Sequence, residues 1–494
     1  MTKLCEILRY DPSSPMIFSS GLFLFLFLGF LFVYMLLQKK MTARLVFVTA
    51  FSYYFYYKSS GFYFFLLALV TFSDFVIGRE IGRWRNNHVQ ERYIPRLLMT
   101  VSLIVDLGFL IYFKYTNFFS GMIASVINSN FQPWDIFLPV GISFFTFQSL
   151  SYTIDIYRRD IRPLDNLLDY AFYVSFFPQL VAGPIVRARD FVLQIRKPLV
   201  ITNTMFAQGV YFIIIGLFKK AVISDYISIN FVERIFDNPG LYSGLENLFG
   251  IYGYALQIYC DFSGYSDIAI GLALLLGFRF PLNFNAPYRS VSITDFWHRW
   301  HISLSSWLKD YLYISLGGNK KGKIRTYLNL MLTMLLGGLW HGASLNFVVW
   351  GGIHGIALVG HKFIHQQILH RDKKYRSYGW RKALAIIITF HFVCFAWIFF
   401  RNNTFAASGI MLHQILTDFH PELLINVLSS YRYVLGLMLF GYVSHYLPDA
   451  WQTRIIVHLS KANLITYSFI LVCVIYLIIQ IKSSEIQPFI YFQF

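Results

Sequence analysis

Charge is scarce in this chain. Of 494 residues, 14% are Asp, Glu, Lys or Arg, against about 25% in an ordinary soluble domain. That is too little polar surface to clothe a soluble globule of this size. Acidic residues are the scarcer of the two signs, 25 against 42 Lys and Arg, for a net charge of +17. Cysteine is almost missing: Cys5, Cys260, Cys394 and Cys473 stand singly, with no CxxC spacing and no histidine at metal-ligand spacing, and read as packing residues. No Gly/Ser linker, low-complexity tail or internal repeat divides the chain, so residues 1–494 read as one polytopic domain. What is abundant is apolar and aromatic: 56% hydrophobic residues, among them 52 Phe and 34 Tyr. The balance excludes a soluble enzyme and a disordered chain.

The stretch Ile17 to Leu37 carries no charge and is long enough to cross a bilayer, which takes roughly 20 apolar residues. It exceeds a signal-peptide core and lacks a small-x-small cleavage site beyond it. Further apolar runs lie at Leu45 to Tyr57, Phe62 to Ile77, Leu97 to Phe113, Ile136 to Tyr157 and Phe206 to Leu217. Others follow at Leu245 to Tyr259, Ala383 to Phe400, Tyr433 to Tyr446 and Leu464 to Ile481. The reading is an all-α integral membrane protein with about ten crossings, or about 10–13 membrane helices when re-entrant hairpins are counted. Positive charge falls in short loops between the runs, where the positive-inside rule puts it, so nucleic-acid binding is a poor reading and the lipid bilayer is the expected surrounding. Lys39, Lys40, Arg44 and the cluster Arg79 to Arg96 then lie inside, and both termini outside.

Three stretches do not fit simple crossings. Asp165 to Pro184 is short and has basic residues at both ends. Thr326 to Gly360 lies between the basic loops Gly317 to Arg325 and Lys362 to Lys382, and reads as a helical hairpin with Gly337 to Gly342 as its turn. Thr294 to Ile314, with Thr294 as expected N-cap, reads as one amphipathic helix. Trp297, Trp300, Leu304, Trp307, Leu308 and Tyr311 share its apolar arc, and His301 points into that arc and should be buried.

Several polar groups could carry chemistry. His341 sits between apolar runs, where an ionisable residue points to function; an imidazole there can take a proton from a hydroxyl near neutral pH, as acyl transfer to an alcohol requires. A neutral core histidine bonded to a carbonyl is the alternative, and position alone leaves both open. His301 could orient a second group or simply pack. His298 and His301 do not make HExxH and no carboxylate completes a metal triad, so no metal is expected. His354, His361 and His365 share a helical face that runs into a basic loop, and read as interfacial histidines. Asp261, Ser263, Ser266 and Asp267 interrupt an apolar stretch, either as a hydrogen-bonded knot or as the lining of a polar tunnel. Trp297, Trp300 and Trp340 are further tunnel-lining candidates. The loop GGNKKGKIR could hold phosphates or only lipid headgroups.

Five segments together resemble the membrane-bound O-acyltransferase family, and within it the bacterial alginate O-acetyltransferase branch. They are FPQLVAGPIVR (Phe177 to Arg187), YCDFSGYSDIAIG (Tyr259 to Gly271), PYRSVSITDFWHRWHISLSSWLKDYLYISLGGN (Pro287 to Asn319), GGLWHGASLNFVVWGGIHG (Gly337 to Gly355) and the terminal FIYFQF (Phe489 to Phe494). Ser315 departs from the proline expected before the double glycine. The resemblance implies a funnel-shaped multi-helix fold with a tunnel through the bacterial inner membrane. It makes His341 the catalytic residue and His301 a second site residue. It also implies an acyl donor from the cytoplasm, acetyl-CoA or an acyl carrier thioester, with no bound cofactor. Delivery is expected to an extracytoplasmic polysaccharide such as alginate, directly or through a periplasmic acetyltransferase partner. D-alanyl transfer to teichoic acid and peptidoglycan or cellulose O-acetylation are the alternatives inside the family. A transporter or flippase is the alternative outside it, and it would more readily show symmetry between halves.

Overall fold

The computed structural model describes residues 8–12, 15–88, 92–369 and 378–482. Cys5, the FIYFQF end, Ser484 and part of the basic loop after Lys362 lie outside them. The described residues form helices and connecting turns with no strand. Among the described residues, six helices are long and apolar enough to cross a membrane, or eight if each of two bent pairs, Pro421–Ser430 with Arg432–Ser444 and Asp449–Ser460 with Leu464–Tyr476, counts as one span. The protein is a multi-pass α-helical membrane protein.

The apolar runs do not map one to one onto these helices. The runs at 45–57 and 62–77 fall in one helical stretch, Met41–Asn87, joined through a short turn at Gly61, whose φ is +60°. The first run yields only a 16-residue helix, Gly21–Leu36, capped by Ser20. The run at 136–157 yields the 17-residue helix Ile142–Arg158. Asp165 to Pro184 is no crossing: it folds into the short helices Leu167–Ser175 and Phe177–Leu180. Apolar sequence here is used as much for internal packing as for facing lipid.

Two compact units emerge where the sequence showed no boundary, each made of separated segments of chain. The first comprises Met1–Ile214, Tyr265–Pro281 and Ile456–Glu485. Its core is phenylalanine: Phe177 meets Phe30 and Phe51 edge-on at 5.6 and 5.2 Å between centroids, and its backbone N–H donates to Ser52 Oγ. Edge-on pairs are favoured by the ring quadrupole. One of its buried carboxylates, Asp74, accepts from Ser102 Oγ at 2.8 Å.

The second unit comprises Ile215–Gly264 and Leu282–Ile455 among the described residues. Part of the helix Gly244–Leu275 runs through it. That helix has 32 residues, ~48 Å at 1.5 Å per residue, and begins with a capping box in which Ser243 and Glu246 exchange hydrogen bonds. Within this unit Lys220 Nζ, 2.6 Å from Asp261 and 2.8 Å from Asp225, fixes a buried ionic triad. The hairpin is present, with arms Lys323–His341 and Leu345–Phe363. Its turn is not where the glycines suggested. Gly337 and Gly338 are helical, and a Cβ on Gly338 would overlap the Phe347 carbonyl oxygen, as one on Gly351 would overlap that of Met334. These glycines let the two arms approach; the chain turns at Gly342 to Ser344.

Candidate active site

His341 is the last residue of the first hairpin arm. Gly342 lies so close to the Phe347 ring that any Cβ there would overlap it. Ser344 caps the second arm by accepting from Asn346 N. Asn346 then donates its amide to the Asn402 carbonyl at 2.6 Å, tying the turn to the end of the helix Gly379–Arg401. These contacts leave His341 only 2% exposed. Trp340, Trp350 and Phe400 surround it at 5.0, 5.1 and 5.3 Å between ring centroids.

His301 is buried, as its place on the apolar arc requires, but not within one amphipathic helix. The segment breaks into Ile293–Arg299 and Ile302–Trp307, with Ser292 rather than Thr294 as the first N-cap. At the break His301 has φ +42° and ψ +54°, a left-handed conformation that costs a non-glycine residue of order 1 kcal/mol or more. Long-range hydrogen bonds hold it there: Asn285 N donates to the Arg299 carbonyl, and Ile302 N to the Asn283 carbonyl, both at 2.9 Å. No local pattern predicts this pairing.

The Asn283 side chain fixes the imidazole as well. Its Oδ1 accepts from Ser303 N at 3.2 Å and from Ser303 Oγ at 2.9 Å. The backbone donor identifies the facing atom as oxygen, so His301 Nδ1, 3.2 Å away, donates to it. The proton therefore sits on Nδ1. Nε2 carries the lone pair and is left without a hydrogen-bond partner among the described residues. Phe262 meets the ring edge-on at 4.5 Å. Trp340 lies within reach of both histidines, 6.1 Å from His301 and 5.0 Å from His341.

The other candidates divide. Trp297 and Trp300 are buried, Trp300 against Phe284 and Trp397 at 5.1 Å each and Trp297 against Trp350. Asp261 is held by Lys220, which favours the knot at that position. Ser263 is buried with its hydroxyl unpartnered among the described residues. Asp267 falls in the other unit. Asn283, Trp350 and Phe400 were missed; none interrupts its surroundings in a way that marks it. His354 differs from expectation: it is fully buried between Trp297 and Trp350, not interfacial. His361 and His365 do reach an open surface.

That surface is a cavity of about 1570 Å³ in the second unit. Among the described residues, Arg289, Arg299, Lys362, Arg381 and Lys382 line it against a single carboxylate, Asp295, which is paired with Arg299. At its edge the loop GGNKKGKIR is held by Asn329, whose amide donates to the Gly318 and Leu316 carbonyls. Ser315 donates to the Tyr311 carbonyl, so the turn is anchored without the expected proline.

Residues 107–408 match the model of the membrane-bound O-acyltransferase family. The chain is 36% identical to the probable alginate O-acetylase AlgI of Pseudomonas putida, over 97% of this chain and 100% of that protein. It is 42% identical to the probable alginate O-acetylase AlgI of Pseudomonas aeruginosa, over 81% and 75%. It is 36% identical to the peptidoglycan O-acetyltransferase of Helicobacter pylori, over 80% and 78%. The chain belongs to the membrane-bound O-acyltransferase family and is an O-acyltransferase.

Proposed function

We propose that the protein acetylates hydroxyl groups of an extracytoplasmic polysaccharide such as alginate, using a cytoplasmic thioester, from within the bacterial inner membrane. Support for the acceptor comes from the full-length likeness to alginate O-acetylases. Likeness to the teichoic acid D-alanyltransferase of Bacillus subtilis is 32% over 55% of this chain, and ranges less far. The observation that carries the chemistry is the pair of buried imidazoles on Trp340.

In this reading His341 takes the proton of the acceptor hydroxyl, or of a hydroxyl on a periplasmic partner protein. The hydroxyl oxygen attacks the thioester carbonyl, and buried dipoles stabilise the resulting oxyanion. The C–O bond forms, the C–S bond breaks, and the thiolate leaves with the proton held by His341. His301, oriented by Asn283, is the second site residue. The basic cavity suits the phosphates of acetyl-CoA or of an acyl carrier arm, because Arg and Lys bind phosphate by charge-assisted hydrogen bonds.

Inner membranes supplied with acetyl-labelled thioester and a choice of polysaccharides test this directly. Label on alginate supports the reading. Label on peptidoglycan or teichoic acid alone, or transport without transfer, overturns it. Topology is tested by Asn319→Cys in a cysteine-free background: the account requires protection from an impermeant reagent in intact cells, and labelling from outside would reverse the direction of transfer.

A further inference from the structure

One corner of the first unit gathers positive charge that no neighbour answers. Arg85 lies near the end of the helix Phe64–Asn87, with its guanidinium over the Tyr157 ring, 4.7 Å from the centroid. Its Nη1 is buried and has no hydrogen-bond partner among the described residues. The charges that face it are of its own sign, Arg159 first and then Arg92. Glu80, on the same helix, is taken by Arg83. None of the three arginines forms an ion pair among the described residues. The carbonyl end of a helix favours a cation, yet no carbonyl reaches Arg85 Nη1.

The backbone brings one of these arginines into place at a cost. The helix Ile142–Arg158 ends in the hydrogen-bond pattern of a glycine cap: Asp160 N donates to the Asp155 carbonyl, and Arg159 N to that of Ile156. The residue in the left-handed position is Arg159, with φ +70° and ψ +23°; glycine is unstrained there and arginine is not. A Cβ on Gly82 would overlap Pro163, so the chain beyond this cap is pressed against the helix that carries Arg85. Like charges held together in this way call for an anion.

Their level in the fold says what carries it. Trp84, Tyr93 and Tyr157 stand at this same end of their three helices, as amphipathic aromatics do at a membrane surface. Beyond them Leu97, Val101 and Ile104 form an apolar stripe along the helix Tyr93–Leu110, which packs on both of the others. All three are exposed. A soluble anion has no use for that stripe, whereas a phospholipid sets its phosphate on the arginines and its chains along the stripe.

We propose that Arg85, Arg92 and Arg159 form a headgroup site for an anionic phospholipid. The guanidinium forks donate to the phosphate oxygens, Arg85 through the N–H that lacks an acceptor. Basic pockets between membrane helices take headgroups in this way. The site belongs to the first unit and does not depend on the acyl donor.

The test places the full-length protein in phosphatidylcholine nanodiscs with increasing phosphatidylglycerol, and reads an apparent affinity from the shift in thermal unfolding midpoint. Wild type should be stabilised in a saturable way. Arg85→Gln should weaken the apparent affinity about tenfold. Arg83→Gln, which removes a guanidinium already paired with Glu80, should leave it nearly unchanged. Arg159→Gly relieves the strained cap, so it should raise the midpoint in pure phosphatidylcholine while reducing the response to phosphatidylglycerol. If Arg85→Gln does not accumulate, Arg159→Gly decides alone. Equal losses in Arg83→Gln and Arg85→Gln, or a response that neither Arg85→Gln nor Arg159→Gly alters, overturn the site. An equal shift from inorganic phosphate in pure phosphatidylcholine overturns its assignment to lipid.

Discussion

Asn283 Oδ1 lies 3.2 Å from His301 Nδ1 and accepts from both the backbone and the hydroxyl of Ser303. One side chain therefore sets the tautomer of the histidine and closes the strained break that presents it. Asn283→Ala should lower kcat more than it raises KM, because it frees the ring to rotate and to exchange tautomers. It also leaves Ser303 N–H unsatisfied, at about 1–3 kcal/mol of stability. Steady-state kinetics with a thermal melt in detergent check both effects. Unchanged kcat would remove Asn283 from the positioning of His301.

The hairpin turn makes a steric prediction. A methyl group at Gly342 overlaps the Phe347 ring, so Gly342→Ala must displace the ring that packs on Phe400, which in turn packs on His341. Overpacking of this kind costs about 1–3 kcal/mol. Activity should fall together with the melting temperature. Gly342→Ala with Phe347→Leu, which opens space, should regain part of both.

Lys220 stands between two buried carboxylates. Lys220→Met should destabilise by about 3–5 kcal/mol, because it strands charge in a buried site. Lys220→Met with Asp225→Asn and Asp261→Asn should recover much of that loss. Detergent melts of the single and triple variants measure the difference, and equal stability of all three proteins would show that the triad is not buried.

His420, in the exposed loop before Pro421, is bonded through Nδ1 to Glu422 and through Nε2 to Asp418, 2.7 Å each. Glu422 first, and then Asp418, raise its pKa above the ordinary histidine value. The linkage stabilises the loop fully below the unfolded pKa of about 6.5 and is lost as pH rises through the higher folded value. An NMR titration should place the midpoint above 6.5, and His420→Gln should flatten the loop's pH response. A midpoint at or below 6.5 contradicts the arrangement.

These predictions also show where sequence was sufficient. Burial of His301 followed from helical periodicity, and the hairpin carrying His341 from basic loops around an apolar pair. Both are local signals. The break at His301 was hidden because it is made by residues 283–285, which pair with it only in the fold. Gly337 and Gly338 were read as a turn because glycine serves both turns and close helix packing, and only the partner arm distinguishes the two. His354 looked interfacial because its helix runs into a basic loop, whereas its burial depends on Trp297 from a separate segment. Apolar sequence does not distinguish lipid-facing from core-facing: the most apolar window of Gly244–Leu275 is entirely buried.

The central claim is that His341 moves the proton in acyl transfer. Its most direct test is the rate of label transfer from acetyl thioester to polysaccharide in membranes containing equal amounts of wild-type protein and the His341→Ala variant. General-base catalysis supplies about 10²–10⁴-fold, so the account predicts a loss of that size in the variant, with its detergent melt close to wild type. Transfer at the wild-type rate by a folded His341→Ala protein would contradict it.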